Sequence, residues 1–275
     1  MKMDKYLLPF PFGNKHKWGK SDKPILILDD SFHRIQEIDN DLDGVAAYII
    51  GLNEKYADRV GNHLSAEYIQ FYEMRIADLS FLKSIDKLLH LAIRWNTKIN
   101  DVSFVLNHKD LQSLVLNDTP KIIDLDPISS LNKLKIFEYS GGIWNKNTVR
   151  SLEPVTKCNS LEFLDLTHIK ILEDGLRPLA NMKSLKKLRL SNAYPTEEFA
   201  YLSVHLAGTD CNLPNTDCSL FHPYNILKRP IEDKDVMITG SRKPLLNSEK
   251  DKAKIEKYAR EFEKMREKFI DQSKG

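Results

Sequence analysis

The sequence predicts an α/β repeat solenoid: a curved parallel β-sheet with short helices or 3₁₀ turns on its convex side, capped at both ends and followed by a C-terminal α-helix. Three observations predict it. Between Ala66 and about Ala193 one short pattern, apolar at its first, fourth and sixth places, recurs about six times. The copies follow one another at intervals close to one repeat length. The stretches between them change period from two to three, which is the change from an extended strand to a helical turn.

Taken in order, residues 1–22 are rich in Lys, Pro, Gly and His without a period, and read as an irregular N-terminal arm. Pro9 and Pro11 interrupt their apolar stretch, and no small-residue cleavage site follows, so the chain is expected to be cytoplasmic, or exported by a route this segment does not show. Residues 23–65 are expected to be an N-terminal cap, because a solenoid leaves its first apolar layer open and an atypical end unit must cover it. Within them Pro24 to Leu28 reads as a strand, whereas the run from Asp43 to Leu52 fits a helix or a buried strand equally well.

Residues 66–195 hold the repeats. The clearest copy is Leu88, Leu91 and Ile93 with Asn96 at the ninth place. Leu111, Leu114 and Leu116 echo it, as do Leu131, Leu134 and Ile136, then Leu161, Leu164 and Leu166, then Leu185, Leu188 and Leu190. Ile69 and Phe71 form a degenerate first copy. Fourth-place residues Ile69, Leu91, Leu114, Leu134, Leu164 and Leu188 stand 22, 23, 20, 30 and 24 residues apart. In a strand, alternate side chains share a face, so the fourth and sixth places point inward while the fifth points out. Between copies, runs such as Ile76, Leu79, Leu82, Ile85 and Leu88 recur at threes. One such unit cannot bury its apolar stripe alone; a stack can.

This pattern resembles the leucine-rich repeat family over about 130 residues. The resemblance implies parallel strands lining a concave face that binds a protein. It also implies an Asn at the ninth place that bonds along the stack of turns; Asn96 matches, and Thr119, Tyr139, Ile169 and Ala193 depart. On this register the outward residues include Tyr72, Arg94 and Phe137 beside Trp95, and aromatic residues and Arg are the types enriched at interfaces. Lys135 and Arg189 add basic character to the same face. The long interval after Leu134 contains Tyr139 to Asn147, whose Gly141-Gly142 pair marks a protruding loop with Trp144 as a contact candidate.

Residues 196–247 read as a C-terminal cap and linker, opening on a short helix near Pro195. Residues 248–272 read as a charged amphipathic helix with Ile255, Tyr258, Phe262, Met265 and Phe269 on one stripe. That stripe suits packing on the solenoid, self-association through 255–269, or a partner's groove.

A hydrophobic fraction of 41% and a charged fraction of 29% suit a globular or solenoid chain, and no apolar run is long enough for a membrane span. The net charge of +2 gives no basic excess that would argue for nucleic acid. No phosphate loop, nucleophile elbow or zinc-protease motif is present, so no cofactor and no metal is expected. The expected function is a non-catalytic protein-interaction module using the concave face and the 139–147 loop. A toxin-neutralising, immunity-type protein is an alternative. In a different class stands a cysteine- or metal-dependent enzyme centred on Cys211, Cys218, His205 and His222 in the C-terminal cap.

Overall fold

The computed structural model describes residues 25–28, 35, 38 and 40–274; the arm expected at 1–22 lies outside them. Nine strands form one parallel sheet. They are β1 (Ile25–Leu28), β2 (Leu42–Ile50), β3 (Leu64–Tyr72), β4 (His90–Arg94), β5 (Ser113–Asn117), β6 (Ile136–Ser140), β8 (Phe163–Leu166), β10 (Lys187–Leu190) and β11 (Asp210–Asn212). Two short strands, β7 (Asn147–Val149) and β9 (Ile169–Ile171), pair in parallel beside it.

The convex side is built from α1 (Glu54–His63), a short α2 (Glu153–Thr156) and four 3₁₀ turns at Ser80–Ser84, Ser103–Asn107, Asp126–Ser130 and Arg177–Asn181. Their starts are written locally. The carboxylates of Asp78, Asp101 and Asp124 accept from the backbone N–H two residues on, at Ser80, Ser103 and Asp126, while Ser151 Oγ does the same for Glu153. Short polar side chains fix a turn in this way without help from the core. Pro127, Pro154 and Pro178 sit in the first turn of three of these segments, where a missing N–H costs nothing.

The strand register corrects one copy of the repeat. Ile69, Leu91, Leu114, Phe137, Leu164 and Leu188 lie side by side on successive strands. Phe137, not Leu134, therefore holds the fourth place, and the intervals become 22, 23, 23, 27 and 24 residues. Leu134 is the first-place residue of that unit and Tyr139 its sixth. Both Phe137 and Tyr139 are 0% exposed in the core. Phe137 thus cannot serve as a surface contact, and Lys135 precedes β6 instead of lying in its outward column. The fifth and seventh places of this unit are Glu138 and Ser140.

The same register extends past 66–195 at both ends, with Ala47 beside Ile69 and Cys211 beside Leu188. The ambiguous run near residues 43–52 is a strand. One apolar core runs through the whole stack, from Leu28 to Phe269, and each fully buried Leu or Ile in it contributes about 1.5 to 3 kcal/mol.

Beyond β10, α3 (Thr196–His205) closes the core, and α4 (Lys252–Gln272) packs on α3. Tyr201 meets Phe269 edge-on at 5.2 Å, and the Arg177 guanidinium lies 4.1 Å from the Tyr201 ring centre. Ile255, Phe262 and Phe269 are buried, so the stripe expected to offer self-association is covered by the chain itself. The stretch read as a linker forms, with the residues before it, a three-stranded antiparallel sheet: β12 (Tyr224–Ile231), β13 (Lys234–Ile238) and β14 (Leu245–Leu246). Val236, Ile238 and Leu246 of that sheet share a small cluster with Ile255.

Candidate protein-binding face and rim loop

Each of four parallel strands ends in the same bend. Glu73, Trp95, Asp118 and His168, one residue past β3, β4, β5 and two past β8, all have positive φ between +53° and +57°. That left-handed residue turns the chain out of the sheet and leaves its own side chain at the rim. Trp95 is therefore 46% exposed, whereas Asn96, the next residue, is fully buried. The Trp95 ring lies 5.9 Å from that of Tyr72, and Tyr72 is the strand partner of Arg94. These three sequence-predicted residues do come together.

Behind the bend, Asn96 Nδ2 donates to the Ile76 carbonyl at 2.9 Å, and its Oδ1 accepts from the N–H groups of Lys98 and Ile99. Two units on, Asn147 plays a related part, in which Oδ1 accepts from Thr119 N–H at 3.1 Å and Nδ2 donates to the Ser140 carbonyl at 2.9 Å. Inward apolar side chains in phase on successive strands, a left-handed bend after them, and buried Asn side chains bonding the turns describe one architecture. The chain has a leucine-rich repeat fold.

Solved structures of this fold to which the chain is similar include an internalin C2 of Listeria monocytogenes, at 18% identity and a TM-score of 0.45, over 61% of this chain and 69% of that one. An internalin F of the same organism matches at 21% identity and 0.45, over 61% and 53%. A leucine-rich repeat protein of Leptospira interrogans matches at 16% identity and 0.46, over 68% and 58%. The chain spans a little over half the length of the last two. No family model matches the sequence, and no curated protein matches it.

In the fourth repeat the insertion between Ser140 and Asn147 forms the loop. Tyr139 and Asn147, its expected ends, are both buried, so the protruding part is 141–146. It is tied at both roots to the next repeat: Gly141 N–H donates to the Thr167 carbonyl at 3.0 Å and Asn147 N–H to the His168 carbonyl at 3.2 Å. The Gly142 carbonyl lies 3.3 Å from His168 Nδ1. A Cβ on Gly141 would run into the His168 carbonyl, and one on Gly142 into the Asp118 carboxylate. Glycine is required at 141, where the obstacle is backbone, while at 142 a larger residue would have to displace the Asp118 side chain. Asp118 Oδ1 is buried against the loop without a hydrogen-bond partner among the described residues, and burial raises its pKa. At the loop's tip Ile143 and Trp144 are 86% and 91% exposed.

Across the concave face runs a polar network. Asn117 Nδ2 donates to Ser140 Oγ at 2.8 Å, Ser140 donates to Glu138 Oε1 at 2.7 Å, and Arg94 lies 3.3 Å from the same oxygen. Next to Glu138 on the neighbouring strand stands Asp165, 3.6 Å from Arg189, whose guanidinium also lies 5.0 Å from the Phe163 ring centre. Burial, reinforced by the charge of Glu138, pushes the Asp165 carboxyl up to about 6. Arg94 and Arg189 thus flank two carboxylates. Sequence reasoning missed Glu138 and Ser140 because the fourth repeat was read three residues early; at the right phase both fall in the outward columns.

The remaining predicted residues are dispersed. Lys135 is exposed before the N-terminal end of β6, the opposite rim from Trp144. In the C-terminal cap, Cys211 takes the inward fourth place of β11, and burial pushes its thiol up; Cys158 is raised to about 11 by burial. Neither is poised as a nucleophile, which needs a depressed pKa or an adjacent base. Cys211 and Cys218 are both free thiols. Among the described residues no three His, Cys, Asp or Glu side chains converge as a metal site, and no helix is long and apolar enough to cross a membrane.

Proposed function

We propose that the protein is a non-catalytic protein-binding module that engages its partner through the concave strand face and the 141–146 loop. The observation that carries this reading is the loop itself. It holds Ile143 and Trp144 almost wholly in solvent, yet its roots are bonded to the neighbouring repeat and its glycines are pressed against Asp118 and His168. Exposing a Trp and an Ile side by side forgoes about 3 to 6 kcal/mol of burial. A rigid root lowers the entropy lost when such side chains enter a partner's pocket. Trp is also among the residue types most enriched at interface hot spots. Tyr72, Arg94, Trp95 and Arg189 supply further contacts of the types interfaces favour.

The test compares wild type with two folded variants, Ile143→Ser/Trp144→Ser and Tyr72→Ala/Arg189→Ala, as baits in a lysate of the source organism. A protein retained by wild type and lost from either variant supports the reading. Retention of the same proteins by all three baits would refute it.

A further inference from the structure

The outward side chains of the sheet run in two rows across the concave face. One row goes from Ala46 through Tyr68 and Phe163 to Lys187, the other from Tyr48 through Val115, Glu138 and Asp165 to Arg189. Tyr48, Tyr68, Val115, Glu138, Phe163 and Asp165 are all buried, Tyr68 and Phe163 to 1% exposure. Yet the described helices and turns lie on the convex side, at the rims or at the C-terminal end. Ala46, Tyr48 and Tyr68 form a small apolar cluster separate from the main core, with the tyrosine rings 5.7 Å apart and, among the described residues, no member from outside the sheet. A parallel sheet that buries side chains on both faces is covered on both, so this face calls for a cover.

Residues 1–24 precede β1, which stands at the edge of the sheet beside β2. From β1 to β8 the strand steps add up to about 29 Å at the usual spacing, which roughly nine extended residues span. The segment is therefore long enough to cross the face from its edge to Phe163. Its longest apolar run, Tyr6-Leu7-Leu8-Pro9-Phe10-Pro11-Phe12, has the matching chemistry. Pro9 and Pro11 fix φ and donate no N–H, so the run favours an extended course outside any strand ladder. Extended proline-containing segments dock on aromatic-lined surfaces, and Tyr48, Tyr68 and Phe163 supply one. Glu138 and Asp165 are each paired with an arginine, Arg94 and Arg189, so apolar contact rather than net charge selects what lies there.

We infer that the run from Tyr6 to Phe12 docks across the concave face as the chain's own ligand, over Tyr48, Tyr68 and Phe163, and that a partner gains that face by displacing it. The displacement rests on the protein-binding reading above; the docking does not. An intramolecular occupant lowers a partner's apparent affinity by the fraction of molecules whose face is open. Removing the apolar side chains of the run therefore strengthens binding of whatever else uses the face.

The experiment titrates a fluorescein-labelled synthetic peptide of residues 1–22 into the whole wild-type chain and into Leu8→Ser/Phe10→Ser/Phe12→Ser, shown by circular dichroism to be folded, with anisotropy as the readout. The expected result is binding to the variant at least tenfold tighter than to wild type, and at least a tenfold loss when the peptide itself carries Phe10→Ser/Phe12→Ser. In the otherwise unaltered full chain, photoreactive benzoylphenylalanine in place of Phe10 should cross-link within the molecule to strands β2 to β8. Equal peptide binding to both chains, binding to neither, or cross-links on the convex turns or the C-terminal cap would overturn the docking. A wild type that sediments as a dimer beside a monomeric variant would assign the face to the arm of a second copy and overturn the intramolecular cover. A protein captured from lysate by the variant should be released by the free peptide, and capture that the peptide leaves untouched would overturn the displacement. If no bait captures a protein while the peptide binds as expected, the protein-binding reading fails and the docking stands.

Discussion

Replacing Phe137 with alanine separates a core residue from a surface contact. Phe137 is 0% exposed and stands in line between Leu114 and Leu164 on the inner side of the sheet. Removing its ring loses a transfer free energy of about 2 kcal/mol. The neighbours are held by their own strands and cannot collapse far, so most of the ring's volume remains as a cavity, which at about 24 cal/mol per Å³ adds roughly 1 to 2 kcal/mol. The expected loss is about 3 to 5 kcal/mol, or a fall in Tm of roughly 6 to 20 °C for a chain of this size. Lys135→Ala, two residues away but exposed, should change stability by less than about 0.5 kcal/mol. Urea denaturation followed by circular dichroism measures both. A neutral Phe137→Ala and a severe Lys135→Ala would refute the register on which the rim and the concave columns are placed.

Three other outcomes follow from the same geometry. Asn147→Ala should cost about 1 to 3 kcal/mol, because it strands the buried Thr119 N–H and Ser140 carbonyl; a thermal melt indistinguishable from wild type would contradict it. Asp165, with a folded pKa of about 6 against an ordinary 3.8, holds its proton more tightly when folded. Its contribution is fully present below about pH 4 and is lost as pH rises through 6, amounting to about 3 kcal/mol. Asp165→Asn should therefore reduce the difference in urea midpoint between about pH 4.5 and 7.5. Iodoacetamide should label only half-exposed Cys218 in the native chain and all three cysteines once it is unfolded; three adducts on the native protein by mass spectrometry would contradict the placement of Cys158 and Cys211.

Much of the fold was legible because Leu at the first, fourth and sixth places is a physical requirement of stacking half-buried strands. It became ambiguous where two periods overlap. Leu125, Ile128, Leu131 and Leu134 recur at threes on the convex turn, and Leu131, Leu134 and Ile136 then mimic the strand pattern three residues early. The true inward pair, Phe137 and Tyr139, is aromatic; the Tyr139 hydroxyl lies within hydrogen-bond distance of the Ile122 and Thr148 carbonyls, so a residue that reads as polar occupies the core. The ninth-place Asn of that unit was hidden by the inserted loop, which displaces it to Asn147. In β2 no alternation was visible, since Ala46 and Tyr48 on the outer face are as buried as Ala47 and Ile49 on the inner. The β12–β13 hairpin went unread because most of β12 is exposed, which removes the apolar signal.

Of the site, the sequence disclosed the Tyr72, Arg94 and Trp95 group and the Gly141-Gly142 loop, because bends, glycines and aromatics are local signals. It did not disclose that Glu138 and Asp165 lie side by side between Arg94 and Arg189, which depends on the register of strands far apart in the chain.

The most direct measurement of the central claim is isothermal titration of the captured partner into wild type and into Ile143→Ser/Trp144→Ser, the variant having first been shown to melt at the wild-type temperature. Because both side chains are already in solvent, their removal should leave the fold intact and weaken binding by tenfold or more. Equal affinity for the two proteins would contradict the account and detach the loop from function.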